Sequence, residues 1–270
     1  MKPHALRKIS RYGWRPDLPD VRDHIYAAPK RTLVTLPPMV DLRPEDSPIY
    51  DQGQIGSCTA NAIAAAFEFD LRKQLLGDFV PSRLFIYYNE RSMEGDVGTD
   101  SGAQIRDGVK SVTTLGVCSE ADWPYDATPA TTDGGPFPAD SRAVLEPGPN
   151  LYEDALKNQV TSYQRVTRSL SEFKGCLASG YPFLLGFSVY DSFEGDQVAA
   201  DGVLNLPGPD ESPLGGHAVL AVGYDDSTQR FTIRNSWGTS WGQQGYFTMP
   251  YAYLLEAGLS SDFWTIRLVE

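Results

Sequence analysis

A thiol can attack a carbonyl when it is held in its ionised form, and Cys58 is placed to be held so. It follows the glycine-rich stretch Asp51-Gln52-Gly53-Gln54-Ile55-Gly56-Ser57 and precedes an alanine-rich run with no proline until Pro81. That pattern predicts a loop running into a helix, with the cysteine at the junction. The first N–H groups of a helix lack partners within it and carry partial positive charge, which favours the nucleophilic thiolate. A nucleophile also needs a base, and the base needs a group to orient it. The chain has three histidines, His4, His24 and His217. His4 and His24 lie in a terminal stretch rich in Arg, Lys and Pro. His217 opens the apolar run Ala218-Val219-Leu220-Ala221-Val222, which reads as a buried strand. Eighteen residues later Asn235 ends a second strand, Phe231 to Arg234, and Asp225 to Arg230 between them reads as a turn. A hairpin of this kind brings the Asn235 amide beside the imidazole, where its oxygen fixes the tautomer and Trp237 shields the bond from water.

The elements that must position these groups follow from periodicity and punctuation. Helices are expected at about 58–76, at 82–93 and at 103–115, where Ile105, Val109 and Val112 repeat at helical spacing before Gly116. Asp126 to Asn150 carries five prolines and little apolar pattern, so it reads as a long surface loop. Beyond residue 151 one helix (Ser171 to Ser179, ended by Gly180) gives way to strands at 183–190, 217–224, 230–235, 245–249 and 263–269. Helices first and strands later indicate an α+β chain with two lobes.

Four blocks, in order, resemble the papain-like cysteine peptidases over roughly residues 38 to 270. They are Gly56-Ser57-Cys58, Asp100-Ser101-Gly102 with Trp123-Pro124-Tyr125 further on, Gly215-Gly216-His217, and Asn235-Ser236-Trp237-Gly238-Thr239-Ser240-Trp241-Gly242. His217 and Asn235 stand 159 and 177 residues after Cys58. The resemblance implies a two-lobed fold, with a helical lobe at about 38–150, a β-barrel-like lobe at about 151–270 and the active site in the cleft between them. It implies an endopeptidase with Cys58 as nucleophile, His217 as acid and base, Asn235 as orienting group and Gln52 as oxyanion donor, acting through a thioester and using no cofactor or metal. Ser101, Gly102, Gly216 and Trp237 are the expected substrate-binding residues. Ile55 replaces the family's first cysteine and Thr59 its aromatic residue after the nucleophile, and Ser101-Gly102 stands for its Gly-Gly. Cys118 and Cys176 are too few for its disulfide framework and are expected to be buried free thiols. A transferase using the same dyad, or a silent peptide-binding module, are the competing readings.

Charge is unevenly distributed. Residues 1 to 36 hold eight Lys/Arg and three Asp, a balance of +5; the remainder holds 15 Lys/Arg and 32 Asp/Glu, a balance of −17. A basic arm on an acidic body is expected to dock intramolecularly. Residues 1–37 are therefore expected to be a short pro-like segment covering the cleft, with Tyr12, Trp14, Ile25 and Tyr26 as apolar anchors; the alternative is an outer belt needed for folding. An acidic body repels phosphate, so nucleic acid is not an expected partner. No run of eighteen apolar residues marks a membrane span and no apolar stretch follows Lys2, Arg7 and Lys8, so a cytoplasmic monomer acting on peptides or proteins is expected, with leaderless secretion as the other route.

Overall fold

The computed structural model describes residues 12–77 and 79–268. Strand β1 (Ile25–Tyr26) and helix α1 (Lys30–Val34) lead into β2 (Met39–Asp41). Three longer helices follow, α2 (Cys58–Lys73), α3 (Arg83–Glu94) and α4 (Ile105–Thr114), and then α5 (Pro149–Ala155). The second half runs β3 (Ser162–Val166), α6 (Leu170–Ala178), β4 (Phe183–Tyr190), α7 (Asp196–Asp201), β5 (Pro213–Asp225), β6 (Arg230–Arg234), β7 (Tyr246–Pro250), α8 (Tyr251–Leu255) and β8 (Ser260–Arg267).

Helix α2 is apolar around nearly its whole circumference. Cys58 through Leu71 are all buried. A helix of that kind belongs inside a protein. It lies against β5, with α3 and α4 on its other side. Ser82 caps α3 by accepting the Phe85 N–H, and Gly95 ends it in the left-handed conformation.

The strands form one sheet in the order β1-β3-β8-β4-β5-β6-β7, with β2 added on β5. All pairings are antiparallel except β1 with β3. Central strand β4 and the His217–Tyr224 stretch of β5 are almost wholly buried and correspondingly rich in Phe, Leu, Val and Ala. The helices and strands expected from periodicity are all present, displaced by a few residues at their ends. The elements that were not expected are short or polar: β1 and β2, α1, α5, α7 and α8, and the half-buried β3 with sequence Ser-Tyr-Gln-Arg-Val. The long segment after α4 holds isolated bridges at Ser119 and Pro136, with no strand before β3.

The N-terminal segment wraps the body. β1 pairs with β3, Ala28 N–H donates to Glu172, and α1 packs on α6. Its polar contacts differ from those expected of a basic arm on an acidic body. Arg15 does meet Glu94 of α3. The buried ion pairs run the other way: the segment's Asp23 pairs with Arg106 at 2.6 Å, and Arg165 lies 3.4 Å from Asp17 and 3.3 Å from Asp23. Net charge describes attraction at a distance, whereas contact geometry is set by the few carboxylates that can be buried beside a guanidinium. Lys2, Arg7, Lys8 and Arg11 lie outside the described residues.

Candidate active site

The loop before α2 is held from several sides. Gly56 N–H donates to the Asp100 carboxylate at 3.0 and 3.1 Å, and Tyr87 Oη donates to the same carboxylate at 2.5 Å. Asn61 Nδ2 donates to the Ser57 carbonyl at 2.9 Å, and Tyr125 Oη donates to the Gln52 carbonyl at 2.9 Å. The result is a fixed turn with Cys58 as the first residue of the helix. Gln52 is fully buried. Its amide N–H2 donates to the Ile55 carbonyl and its oxygen accepts from Ser236 Oγ, which ties the loop to the segment after β6. Ile55 accounts for one of the two amide hydrogens.

The β5–β6 hairpin does what its sequence predicts. Leu220 pairs with Arg234, so Asn235 comes level with Val219, two residues along the strand from His217, and its amide reaches the imidazole diagonally. His217 Nε2 and Asn235 Oδ1 are 2.8 Å apart. His217 Nδ1 has no hydrogen-bond partner among the described residues and is the nitrogen left for the thiol. Cys58 Sγ accepts the N–H of Ala218, the residue after His217, at 3.4 Å. The Trp237 ring lies 5.1 Å from the imidazole, tilted by 32°, and both side chains are buried.

Burial dominates the electrostatics. It pushes the Cys58 thiol up to about 12, against the N–H groups of Ala218 and Gly13 that pull it down. It pulls His217 down to about 4, opposed by the Asn235 hydrogen bond. Burial beneath a covering chain segment thus favours the neutral form of both groups.

That segment is Tyr12-Gly13-Trp14. The Gly13 N–H lies close enough to Cys58 to favour its thiolate. Its carbonyl accepts the Ala103 N–H at 2.7 Å, and Arg15 N–H donates to the Ala103 carbonyl at 3.0 Å. Trp14 N–H donates to the Gly216 carbonyl at 2.9 Å. The Tyr12 ring lies 6.0 Å from His217 and 6.4 Å from Trp237, and its hydroxyl donates to Glu194. Trp14 is buried, with its indole N–H 3.2 Å from Asp262 Oδ2. Gly13 fits only because it has no side chain: a Cβ there would lie 1.6 Å from the Gly56 carbonyl oxygen.

The structure thus gathers Cys58, His217, Asn235, Gln52, Gly216 and Trp237 around one cleft. Gly102 borders it, since a Cβ there would lie 2.0 Å from the Gly13 carbonyl oxygen, while the Ser101 hydroxyl turns to the Gly102 carbonyl. The residue that pairs with the covering strand through both N–H and C=O is Ala103, one position beyond the expected pair. The sequence also left Glu194 and Glu94 unassigned: Glu94 ends α3 and Glu194 follows β4, and nothing in either local pattern marks a contact with the N-terminal segment.

The chain's likenesses agree with this geometry. A family model described as papain family cysteine protease matches residues 36–263. Among solved structures, xylellain, a cysteine protease from Xylella fastidiosa, superposes with a TM-score of 0.93 at 48% identity, covering 98% of each chain. An uncharacterized peptidase C1-like protein of Acanthamoeba polyphaga mimivirus is 39% identical over 97% of this chain and 88% of its own length. Cysteine proteinase 3 of Entamoeba histolytica is 27% identical over 88% of this chain and 69% of its own. A thiol at a helix start, an imidazole fixed by an amide, and a family match spanning both lobes place this chain in the papain family of cysteine proteases.

Proposed function

We propose that the chain is a cysteine endopeptidase in which residues 38–270 do the chemistry and the N-terminal segment shuts the cleft. The observation that carries the reading is the contact set around Cys58: Ala218 N–H on the sulfur, His217 beside it, and Asn235 on Nε2. Once the segment leaves, water and the helix start stabilise a thiolate beside an imidazolium, each charge lowering the cost of the other. The thiolate attacks the substrate carbonyl. The oxyanion takes the Cys58 N–H and the remaining amide hydrogen of Gln52. His217 protonates the leaving amine, and a water deprotonated by His217 cleaves the thioester.

The segment is built to occupy the cleft without being cut. The leaving amine of a substrate must face His217, so the part of a substrate after the scissile bond lies toward His217 and Trp237. In the segment the preceding residue, Tyr12, lies there. The chain therefore runs opposite to a substrate, and it offers Cys58 an N–H where a substrate offers an electrophilic carbon. The same segment is also a belt through β1 and α1, so the two readings of the arm describe different parts of it: residues 12–17 plug, and residues 23–41 hold.

Cys58→Ala tests the chemistry. It is expected to abolish hydrolysis of a peptide library, read by mass spectrometry as new amino termini, with an unchanged circular dichroism spectrum. Hydrolysis persisting in the purified variant would overturn the assignment.

A further inference from the structure

The residue after the nucleophile makes a contact that the chemistry above does not use. The Thr59 hydroxyl donates to Glu90 Oε1 of α3 at 2.5 Å. Both side chains are fully buried. Glu90 Oε2 has no hydrogen-bond partner among the described residues. It points at α4, where a Cβ on Gly108 would lie 2.6 Å from it and 2.3 Å from Ile63 Cδ1. Glycine in a helix interior costs stability. Here it leaves room for a carboxyl group where α2, α3 and α4 pack together.

A carboxyl group with one donor and no water is poorly placed to carry a charge. Burial pushes Glu90 up to about 8, reinforced by Asp107 of α4 and opposed by the Thr59 hydrogen bond, Arg91 and Arg15. Both cations are engaged elsewhere. Arg91 donates to the carbonyls of Val97, Thr99 and Ala143, and Arg15 of the covering segment pairs with Glu94. Tyr87 of α3 also feels Glu90; burial holds its hydroxyl protonated, and it donates to Asp100. Glu90 therefore keeps its proton through neutral pH.

A charge on Glu90 acts on the reaction through the first turn of α2. The partial positive charge of that turn stabilises the thiolate, and its Cys58 N–H meets the oxyanion. A carboxylate behind the turn opposes both negative charges. Burial raises the Cys58 thiol most, and a charged Glu90 raises it further.

We propose that Glu90 is a positioning residue for the reaction: its protonated carboxyl fixes the start of α2 through Thr59 without opposing the thiolate, and loss of that proton turns the enzyme down at alkaline pH. The neutral acid thus supplies the hold of a buried hydrogen bond and withholds the charge that would compete with the nucleophile.

The test uses the full-length chain. Glu90→Gln keeps an acceptor for Thr59 and has no proton to lose. It is expected to match wild type in kcat/KM at pH 6–7 and to exceed it by about three- to tenfold at pH 9, as an acid with a midpoint near 8 becomes ionised. Thr59→Val removes the one donor that favours the carboxylate, so the alkaline fall is expected to move to higher pH. A merely structural role predicts ratios independent of pH. The proposal rests on the peptidase reading, and a second measurement separates the two. In a Cys58→Ala chain with carbon-13-labelled glutamate, the Glu90 carboxyl signal, assigned through its own backbone amide, is expected to titrate near pH 8 with no turnover required. A Glu90 signal already ionised at about pH 6, a flat ratio of Glu90→Gln to wild type between about pH 6 and about pH 9, or a Thr59→Val profile that falls at the wild-type pH would each overturn it.

Discussion

Gly13→Ala should switch the enzyme on. The new Cβ would stand 1.6 Å from the Gly56 oxygen, 2.4 Å from its carbonyl carbon and 2.9 Å from its Cα. All three are backbone atoms of the turn that carries Cys58, so no side-chain rotation relieves the clash and the segment must move away. What it loses can be sized. Tyr12 and Trp14 are each 7% exposed, and burying an aromatic side chain contributes about 1.5–3 kcal/mol. Three backbone hydrogen bonds, from Trp14 N–H, Arg15 N–H and Ala103 N–H, contribute about 1 kcal/mol each. Ordering roughly four residues costs about 1–2 kcal/mol each. The gain is about 6–9 kcal/mol and the cost about 4–8 kcal/mol, so mid-range values leave a docking free energy of about 1–2 kcal/mol, an open fraction of about one molecule in five to one in thirty. Expelling the segment is therefore expected to raise kcat/KM on a small peptide, and the rate of Cys58 alkylation by iodoacetamide, by about 5- to 30-fold. Tyr12→Ala/Trp14→Ala, which removes the anchors without touching the turn, should change both rates in the same direction. A Gly13→Ala protein that folds and shows wild-type alkylation and hydrolysis would refute the reasoning.

Three other outcomes follow from the same geometry. Gln52→Ala is expected to lower kcat by about 10²–10³ with little change in KM, because an oxyanion donor acts on the transition state; an unchanged kcat in steady-state assays would confine Gln52 to holding the loop. In Gly13→Ala the pH profile of kcat/KM should be bell-shaped, reporting the coupled thiolate–imidazolium pair, whereas a rate climbing steadily through alkaline pH would mean an ordinary thiol. In the wild type, burial and the nearby Asp262 carboxylate push Asp17 up to about 6, against the Arg106 N–H and the Trp264 indole that pull it down. A carboxylate raised by docking stabilises the docked state fully below its free value and stops doing so as pH rises through the docked one. Alkylation of wild-type Cys58 should therefore speed up between about pH 5 and about pH 7 by more than the same rise in Gly13→Ala, and equal slopes would remove Asp17 from the mechanism.

The pairing of His217 with Asn235 was legible because it is carried by local pattern. An apolar run, a polar turn and a second apolar run fix a hairpin, and a hairpin of that length brings Asn235 within reach of His217. Cys58 was legible for a similar reason, since a glycine-rich loop meeting an alanine-rich run leaves little choice about where the helix starts. The surroundings of Trp14 were legible only in part: Gly216 and the stretch at Ser261 and Asp262 lie in blocks that resemble the family, whereas Gly186 and Trp14 itself stand far from them in the sequence and carry no local signal. Ala103 shows a subtler limit. The covering segment's backbone hydrogen bonds fall on it, just beyond Ser101 and Gly102, because register is set by that segment's backbone and not by residue type. The arm's polarity was misread for the same reason: a sum of charges over 36 residues does not reveal that Asp17 and Asp23 are the ones buried against arginine.

The plug and the belt belong to one continuous strand of covalent chain, joined through residues 18–22, where Leu18 is 72% exposed and Val21 fully so. The plug is therefore a ligand that never diffuses away. A short tether of this kind presents its end at an effective concentration in the millimolar range. On the proposed reading external peptides must outcompete it, so in the uncut protein the segment is expected to raise apparent KM and to leave the turnover of saturated enzyme intact. One nick between residues 18 and 22 changes the thermodynamics entirely. The same Tyr12-Gly13-Trp14 contacts become bimolecular and dilute away at cellular concentrations, while β1 and α1 stay paired to the body.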